Sequence, residues 1–297
     1  MTDAQHSSIP VWGMVLTPFT PTGAVDHVSL ARHVSALVAD GVQGLIALGV
    51  IAEPIALTRA ERGQVLDTVL EHAQGRPVVA TVMSLDHDDR RLDLRDVVAP
   101  RRDHLQAVMV PVSSSHADVL VRDLKDTYQN TTLPLWLQDY PMPTGIHIGL
   151  SDLLRVLAAV PEVAAVKCEA PPTFWRIHKL AAAQSNLTLL SGMGGANLVE
   201  DLVAGARVVA CGISRPRVLV DAAAAWDVGD LASTRAHLGR IAGLIGLETQ
   251  PGTSVAVRKE HWRRRGIISS ATVRPPQLPY PEFLSALSTE LGYSNDH

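Results

Sequence analysis

Val11-Trp12-Gly13-Met14-Val15-Leu16-Thr17-Pro18-Phe19 reads as a buried strand near the start of the 297-residue chain. An open, nucleotide-type sheet favours a glycine-rich phosphate loop directly after its first strand. Here the strand runs instead into Thr17-Pro18-Phe19. Further apolar runs at 44–49, 77–82, 107–111, 134–139, 163–169, 187–192 and 208–212 alternate with helix-periodic segments. The helical patterns include 29–39, 59–73, 117–128, 151–160, 173–183 and 197–204. Repeated strand-then-helix units imply parallel strands, and eight of them within about 200 residues predict a closed (β/α)8 barrel of the α/β class. Thr58 with Glu61 three positions on gives one helix a capping box, and Ser151 is the expected cap of another.

After Gly212 the strand pattern stops, and 218–226, 231–247, 254–265 and 281–291 read as helices. The expected organisation is a barrel over residues 1–214 and a helical segment over 215–297, serving as a cap or an oligomer contact.

Composition narrows the function. Hydrophobic residues make up 46%, aromatics only 4%, and the net charge is −4. That balance offers no general attraction to nucleic acid or an anionic membrane. The clusters Arg101-Arg102 and Arg263-Arg264-Arg265 are short and read as solvated helix faces or subunit contacts. Cys168 and Cys211 sit in apolar runs without a CxxC partner, as buried thiols in a reducing compartment do. The N-terminal Met1-Thr2-Asp3-Ala4-Gln5-His6-Ser7-Ser8 lacks a basic and an apolar leader region, and no apolar stretch spans a bilayer. A cytoplasmic protein is expected. His87 within Asp86-His87-Asp88-Asp89 is the best metal-like cluster, yet no histidine pair has ligand spacing, so neither metal nor cofactor is expected.

The chain has four lysines. Lys125, Lys179 and Lys259 fall in polar, helix-like segments. Lys167 lies in the apolar run Val163-Ala164-Ala165-Val166-Lys167-Cys168-Glu169. Apolar surroundings disfavour an ammonium, and a neutral amine can attack a carbonyl carbon to form a Schiff base. A strand-end lysine whose head reaches water, or pairs with Glu169, is the plainer reading. Strand alternation sends Lys167 and Glu169 to the same side, where the carboxylate is a proton shuttle or a structural partner. Gln138 and Tyr140 share a side at the end of the fifth strand, with Asp139 facing away. Gly49 to Glu53 follows the second strand, placing Glu53 near the same mouth. The glycines of Ser191-Gly192-Met193-Gly194-Gly195 let backbone N–H groups approach an anion.

Together these residues resemble the dihydrodipicolinate synthase/N-acetylneuraminate lyase family. The resemblance runs from about Val11 to Leu291. It rests on Thr17-Pro18-Phe19 with Gly23 and Asp26, Leu57-Thr58 with Glu61-Arg62 after Glu53, Pro141 with Thr144-Gly145, Lys167, and Gly205-Ala206. It implies a lysine imine with a 2-oxo acid, a C-terminal helical segment, and a homodimer or homotetramer. The implied catalytic set is Lys167, Glu169 and Tyr140. Thr17, Gly49, Val50, Ile51, Glu53, Ser113, Gln138, Gly192, Gly194 and Gly195 are expected to bind substrate.

The departures carry information too. The family's Gly-Thr-Thr-Gly-Glu loop is Gly49-Val50-Ile51-Ala52-Glu53 here, without either hydroxyl. Gln138 stands at the usual catalytic tyrosine, Val112-Ser113 at the tyrosine pair, and Pro143 at the arginine before Thr144-Gly145. Gln138-Asp139 and Lys167-Cys168-Glu169-Ala170-Pro171 are similar to patterns in members that dehydrate 2-keto-3-deoxy sugar acids. The expectation is an aldolase or dehydratase acting on a 2-oxo acid. The alternative is a non-catalytic ligand-binding barrel that has lost the proton relay.

Overall fold

The computed structural model describes residues 8–293; residues 1–7, most of the stretch read for a leader, lie outside them. Eight parallel strands close in chain order: β1 (Val11–Met14), β2 (Gly44–Ala47), β3 (Val78–Thr81), β4 (Ala107–Pro111), β5 (Leu135–Asp139), β6 (Val163–Cys168), β7 (Thr188–Ser191) and β8 (Val208–Cys211). β8 pairs back onto β1 through Val209 and Val11, which closes the ring. Around it lie α1 (His27–Ala39), α2 (Arg59–His72), α3 (His87–Asp93), α4 (Ala117–Thr131), the single turn α5 (Pro141–Thr144), α6 (Leu150–Ala159), α7 (Thr173–Ala183) and α8 (Leu198–Ala204). Then come α9 (Pro216–Asp227), α10 (Leu231–Glu248), α11 (Ser254–Arg264) and α12 (Ser285–Glu290). The predicted (β/α)8 barrel with a helical extension is the observed architecture. The expected division at 214 falls between β8 and α9, and α9 packs against β1, so the eighth strand–helix unit runs to Asp227.

Strand alternation sorts the core into two layers. Trp12, Met14, Ile46, Val79, Met109, Trp136 and Leu190 fill the barrel interior. Val11, Leu45, Val78, Val108, Leu137 and Val166 pack outward under the helices. Trp12 and Trp136 meet at 4.9 Å between ring centroids. Gly44 gives Trp12 its room, because a Cβ there would stand 2.3 Å from the indole. These indoles sit early in their strands and plug the barrel floor. The later inward positions, Gln138 and Lys167, are left toward the C-terminal mouth.

The Thr58–Glu61 capping box forms, with Glu61 N–H donating to Thr58 Oγ1 at 3.2 Å and Thr58 N–H to Glu61 Oε2 at 2.8 Å. Ser151 does not cap α6. Leu153 N–H already bonds the Gly149 carbonyl, so the first turn closes before Ser151 and Gly149 is the N-cap. The arginine triplet is also not a solvated face. Arg264 is buried against Glu260 at 2.7 Å, and Arg265 bonds the Ser214 carbonyl and Asp40 while lying over Trp262. These guanidiniums bolt α11 to the rest of the chain.

His33 on α1 is fully buried, accepts Leu16 N–H at Nε2 (3.2 Å), and meets Trp262 edge-on at 4.5 Å. Burial, with help from Arg265, pushes its pKa down from 6.5 to about 3. Below pH 6.5 the unfolded chain therefore binds a proton that the folded chain refuses. The stability due to neutral His33 is complete above 6.5 and drains as pH falls toward 3, by up to about 1.4 kcal/mol per pH unit. Urea unfolding at pH 7 and pH 5 should show this loss in the wild type and a flatter dependence in His33→Gln, which keeps an acceptor. Equal slopes would clear the histidine.

Candidate active site

On β6, Ala165 faces the barrel interior and Val166 the helices, which turns Lys167 inward one step below the mouth. Lys167 pairs in register with Gln138 on β5 and Leu190 on β7. Only 3% of it is exposed. Its Nζ lies 3.1 Å from Glu169 Oε1 and 3.9 Å from the Met14 thioether. The Glu169 carboxylate is held on three sides. Beyond the ammonium, it accepts Gln138 Nε2 at 2.7 Å on Oε2 and Met193 N–H at 3.3 Å on Oε1. Gly192 lets the loop come this close, since a Cβ there would sit 2.5 Å from Glu169 Cγ and Oε1. The anion served by the glycine loop is thus Glu169 itself. Gly194 and Gly195 have φ of +68° and +86° and turn toward other elements, against Thr249 and Leu219.

The remaining expected residues divide. Tyr140 is partly buried and its hydroxyl points to Met142 Sδ at 3.7 Å, not to Lys167. Burial and the Glu169 charge push its pKa up to about 12, so the phenol holds its proton. Thr17 is fully buried beyond β1, its hydroxyl without a partner among the described residues. Gly49 makes room for Met14, whose methyl would be 2.4 Å from a Cβ there. Val50 and Ile51 open a 3-10 turn (Val50–Ala52), with Ile51 reaching across to Gly212 after β8. Apolar branches therefore stand where the family has hydroxyls. Ser113 donates to Asp123 on α4 at 2.7 Å and is not brought to Lys167.

Glu53 and Lys259 need correction together. Lys259 does not sit on a polar surface: it is fully buried, its ammonium bonded to Glu53 and, at 2.9 Å, to the Thr272 carbonyl, over the Phe19 ring. Burial lowers its pKa from 10.5 to about 8 despite Glu53. Glu53 takes Arg274 N–H at 2.8 Å on its other oxygen. This pair locks α11 and the following segment to the β2 loop. With partners on every side, Lys259 has no opening for a carbonyl.

Two inward groups escaped the sequence reading. Thr81, two residues after Val79 on β3, lies on the barrel's inner side beside Gly49, with its hydroxyl buried and unpartnered among the described residues. Its position at the end of an expected strand was the available signal. Arg258 on α11 is the other, and only its neighbours Val255, Ala256 and Val257 hinted at burial. Its guanidinium draws the Tyr140 pKa down against burial, and the Glu169 charge draws the guanidinium's own pKa up. A cavity of about 570 Å³ opens beside the mouth between Val50, Glu53, Met83, Ser84 and Thr144, and Lys167 is not among its lining residues. Among the described residues, no group of three or more His, Cys, Asp or Glu is placed to hold a metal, and no helix is long and apolar enough to cross a membrane.

The dihydrodipicolinate synthetase family pattern matches residues 8–88. A 4-hydroxy-tetrahydrodipicolinate synthase of Kineococcus radiotolerans is 30% identical over 95% of this chain and 92% of its own length. The chain belongs to the dihydrodipicolinate synthetase family. Within it, the L-2-keto-3-deoxyarabonate dehydratase of Azospirillum brasilense is 25% identical over 95% of this chain and 91% of its own. The fold is shared with the crystal structure of dihydrodipicolinate synthase from Rhodopseudomonas palustris, with TM-score 0.87 and 22% identity over 96% of this chain and 97% of that one.

Proposed function

We propose that this family member is a class I lyase, an aldolase or dehydratase, that acts on a 2-oxo acid through an imine on Lys167. The reading is carried by one observation: the Lys167–Glu169 pair, inward-facing and 3.1 Å apart at the C-terminal mouth of the barrel, where such folds place their chemistry. Lys167 attacks the substrate's C2 carbonyl as the neutral amine, and the proton its ammonium gives up leaves with the carbonyl oxygen as water. Loss of water gives the iminium. That cation acidifies the C3–H bond, and Glu169 is the base within reach. The resulting enamine expels the C4 hydroxyl in a dehydration, or adds through C3 to an aldehyde in an aldol addition; in the reverse cleavage the C4 hydroxyl loses its proton and the C3–C4 bonding pair flows into the iminium. Similarity to a 2-keto-3-deoxyarabonate dehydratase supports 2-keto-3-deoxy sugar acids as substrates.

Incubation with pyruvate or a 2-keto-3-deoxy sugar acid, followed by borohydride and intact mass, tests the proposal. The expected result is one reduced adduct per chain, mapping to the peptide that contains Lys167. The hydroxyls absent at Val50 and Ile51, and the turned-away Tyr140, favour a non-catalytic barrel as the second reading. It predicts ligand-induced thermal stabilisation with no adduct for any 2-oxo acid tried.

A further inference from the structure

Arg258 is 6% exposed, yet among the described residues it forms no salt bridge. Its side chain makes one hydrogen bond, from Nη1 to the Ser254 carbonyl at 3.1 Å, and Nε is buried with no acceptor. The carboxylates nearby are already committed. Glu169 holds Lys167, Gln138 and the Met193 N–H, while Glu248 holds Ser214 and His261. Burial pushes the guanidinium's pKa below its ordinary value, the mark of a cation short of compensation. A desolvated charge without a counter-ion is expensive, and folded proteins seldom keep one without a use.

Its place in the fold supplies the use. α11 packs on the Val50–Ala52 turn, and the guanidinium's charge reaches Tyr140, Glu169 and Cys211, at the ends of β5, β6 and β8. That is the mouth around Lys167. We propose that Arg258 is the carboxylate-binding residue of this site, pairing with a carboxylate of the 2-oxo acid where Val50 and Ile51 offer no hydroxyl. A guanidinium fork matches a carboxylate edge to edge, and it has an unused Nε–H to offer. The cation is thereby supplied from the C-terminal helical segment and not from a barrel strand. This inference rests on the 2-oxo acid reading for its ligand, though not on imine formation.

The experiment is calorimetric titration in the Lys167→Ala background, which removes imine chemistry. The probes are oxamate, shaped like pyruvate with one carboxylate, and 2-oxoglutarate, with two. Adding Arg258→Gln is expected to weaken binding about 10- to 100-fold, the span of a charged hydrogen-bonded pair. Loss for both probes assigns the carboxylate beside the carbonyl; loss for 2-oxoglutarate alone assigns the distal one. Arg258→Lys keeps the charge without the fork and should fall between, which also serves if the glutamine variant folds poorly. A further readout separates binding from structure: without ligand, Arg258→Gln should melt no lower than the parent, because an uncompensated buried cation has gone. Binding of both probes within about twofold of the parent, or no binding of either while Arg258 is intact, overturns the inference. Absence of a borohydride adduct in the wild type would sink the imine reading and leave these titrations decisive for Arg258.

Discussion

Lys167→Ala is expected to lose the borohydride-dependent mass increase completely and to lower turnover by at least about four orders of magnitude, since the covalent nucleophile itself is gone. The prediction is sharp because a second buried lysine is present. Burial alone would favour Lys259, which is the more enclosed of the two and whose pKa falls to about 8. Geometry decides otherwise. Lys259 is bonded to Glu53 and Thr272 over Phe19, in the layer outside the barrel, while Lys167 faces the interior next to Glu169. An adduct that persists in Lys167→Ala and maps to Lys259 would reverse the assignment. Circular dichroism must accompany the assay, because removing one member of a buried pair can cost about 3–5 kcal/mol. Glu169 keeps Gln138 and the Met193 N–H in the variant, which limits that cost.

The barrel was legible because short continuous apolar runs alternate with 3.6-period segments along the chain, and each strand falls inside its expected run. The alternation of side chains along a strand put Lys167 and Glu169 on one side. What it does not carry is where a loop side chain goes once the chain leaves the strand. Ser113 and Glu53 follow β4 and β2 at plausible positions, yet Asp123 and Lys259 capture them. Asp123 lies on the helix after the Ser113 loop and Lys259 is 206 positions from Glu53, and neither contact follows from a strand or helix period. Gly194 and Gly195 are required by left-handed backbone and close packing, which a glycine run cannot distinguish from ligand binding. Arg258 was hidden for the opposite reason: Arg258-Lys259-Glu260-His261 reads as a solvated helix face, whereas α11 is buried along most of its length. Charged side chains there find partners or, for Arg258, await one.

Glu169→Gln is expected to separate imine formation from the proton transfer that follows. The replacement keeps shape and an acceptor oxygen for Lys167 and the Met193 N–H, while its NH2 group can donate to Gln138 Oε1, unpartnered among the described residues, once that amide turns over. Removing the base should cost about 10²- to 10⁴-fold in steps that break a C–H bond. Tyr140 is poorly suited to substitute, because its phenol holds its proton up to about pH 12 and its hydroxyl bonds Met142. Deuterium exchange of the pyruvate methyl, followed by proton NMR, reads this step directly and does not need the physiological substrate. The expected outcome is exchange slowed by at least about 100-fold with the borohydride adduct still formed. Exchange within a few-fold of wild type would reduce Glu169 to a counter-ion and move the search for the base to the unpartnered hydroxyl of Thr81. Loss of adduct and exchange together would instead place Glu169 in the first step, taking the proton that frees the Lys167 amine. The two failures differ because enamine formation needs a base after the iminium exists, whereas attack needs one before it.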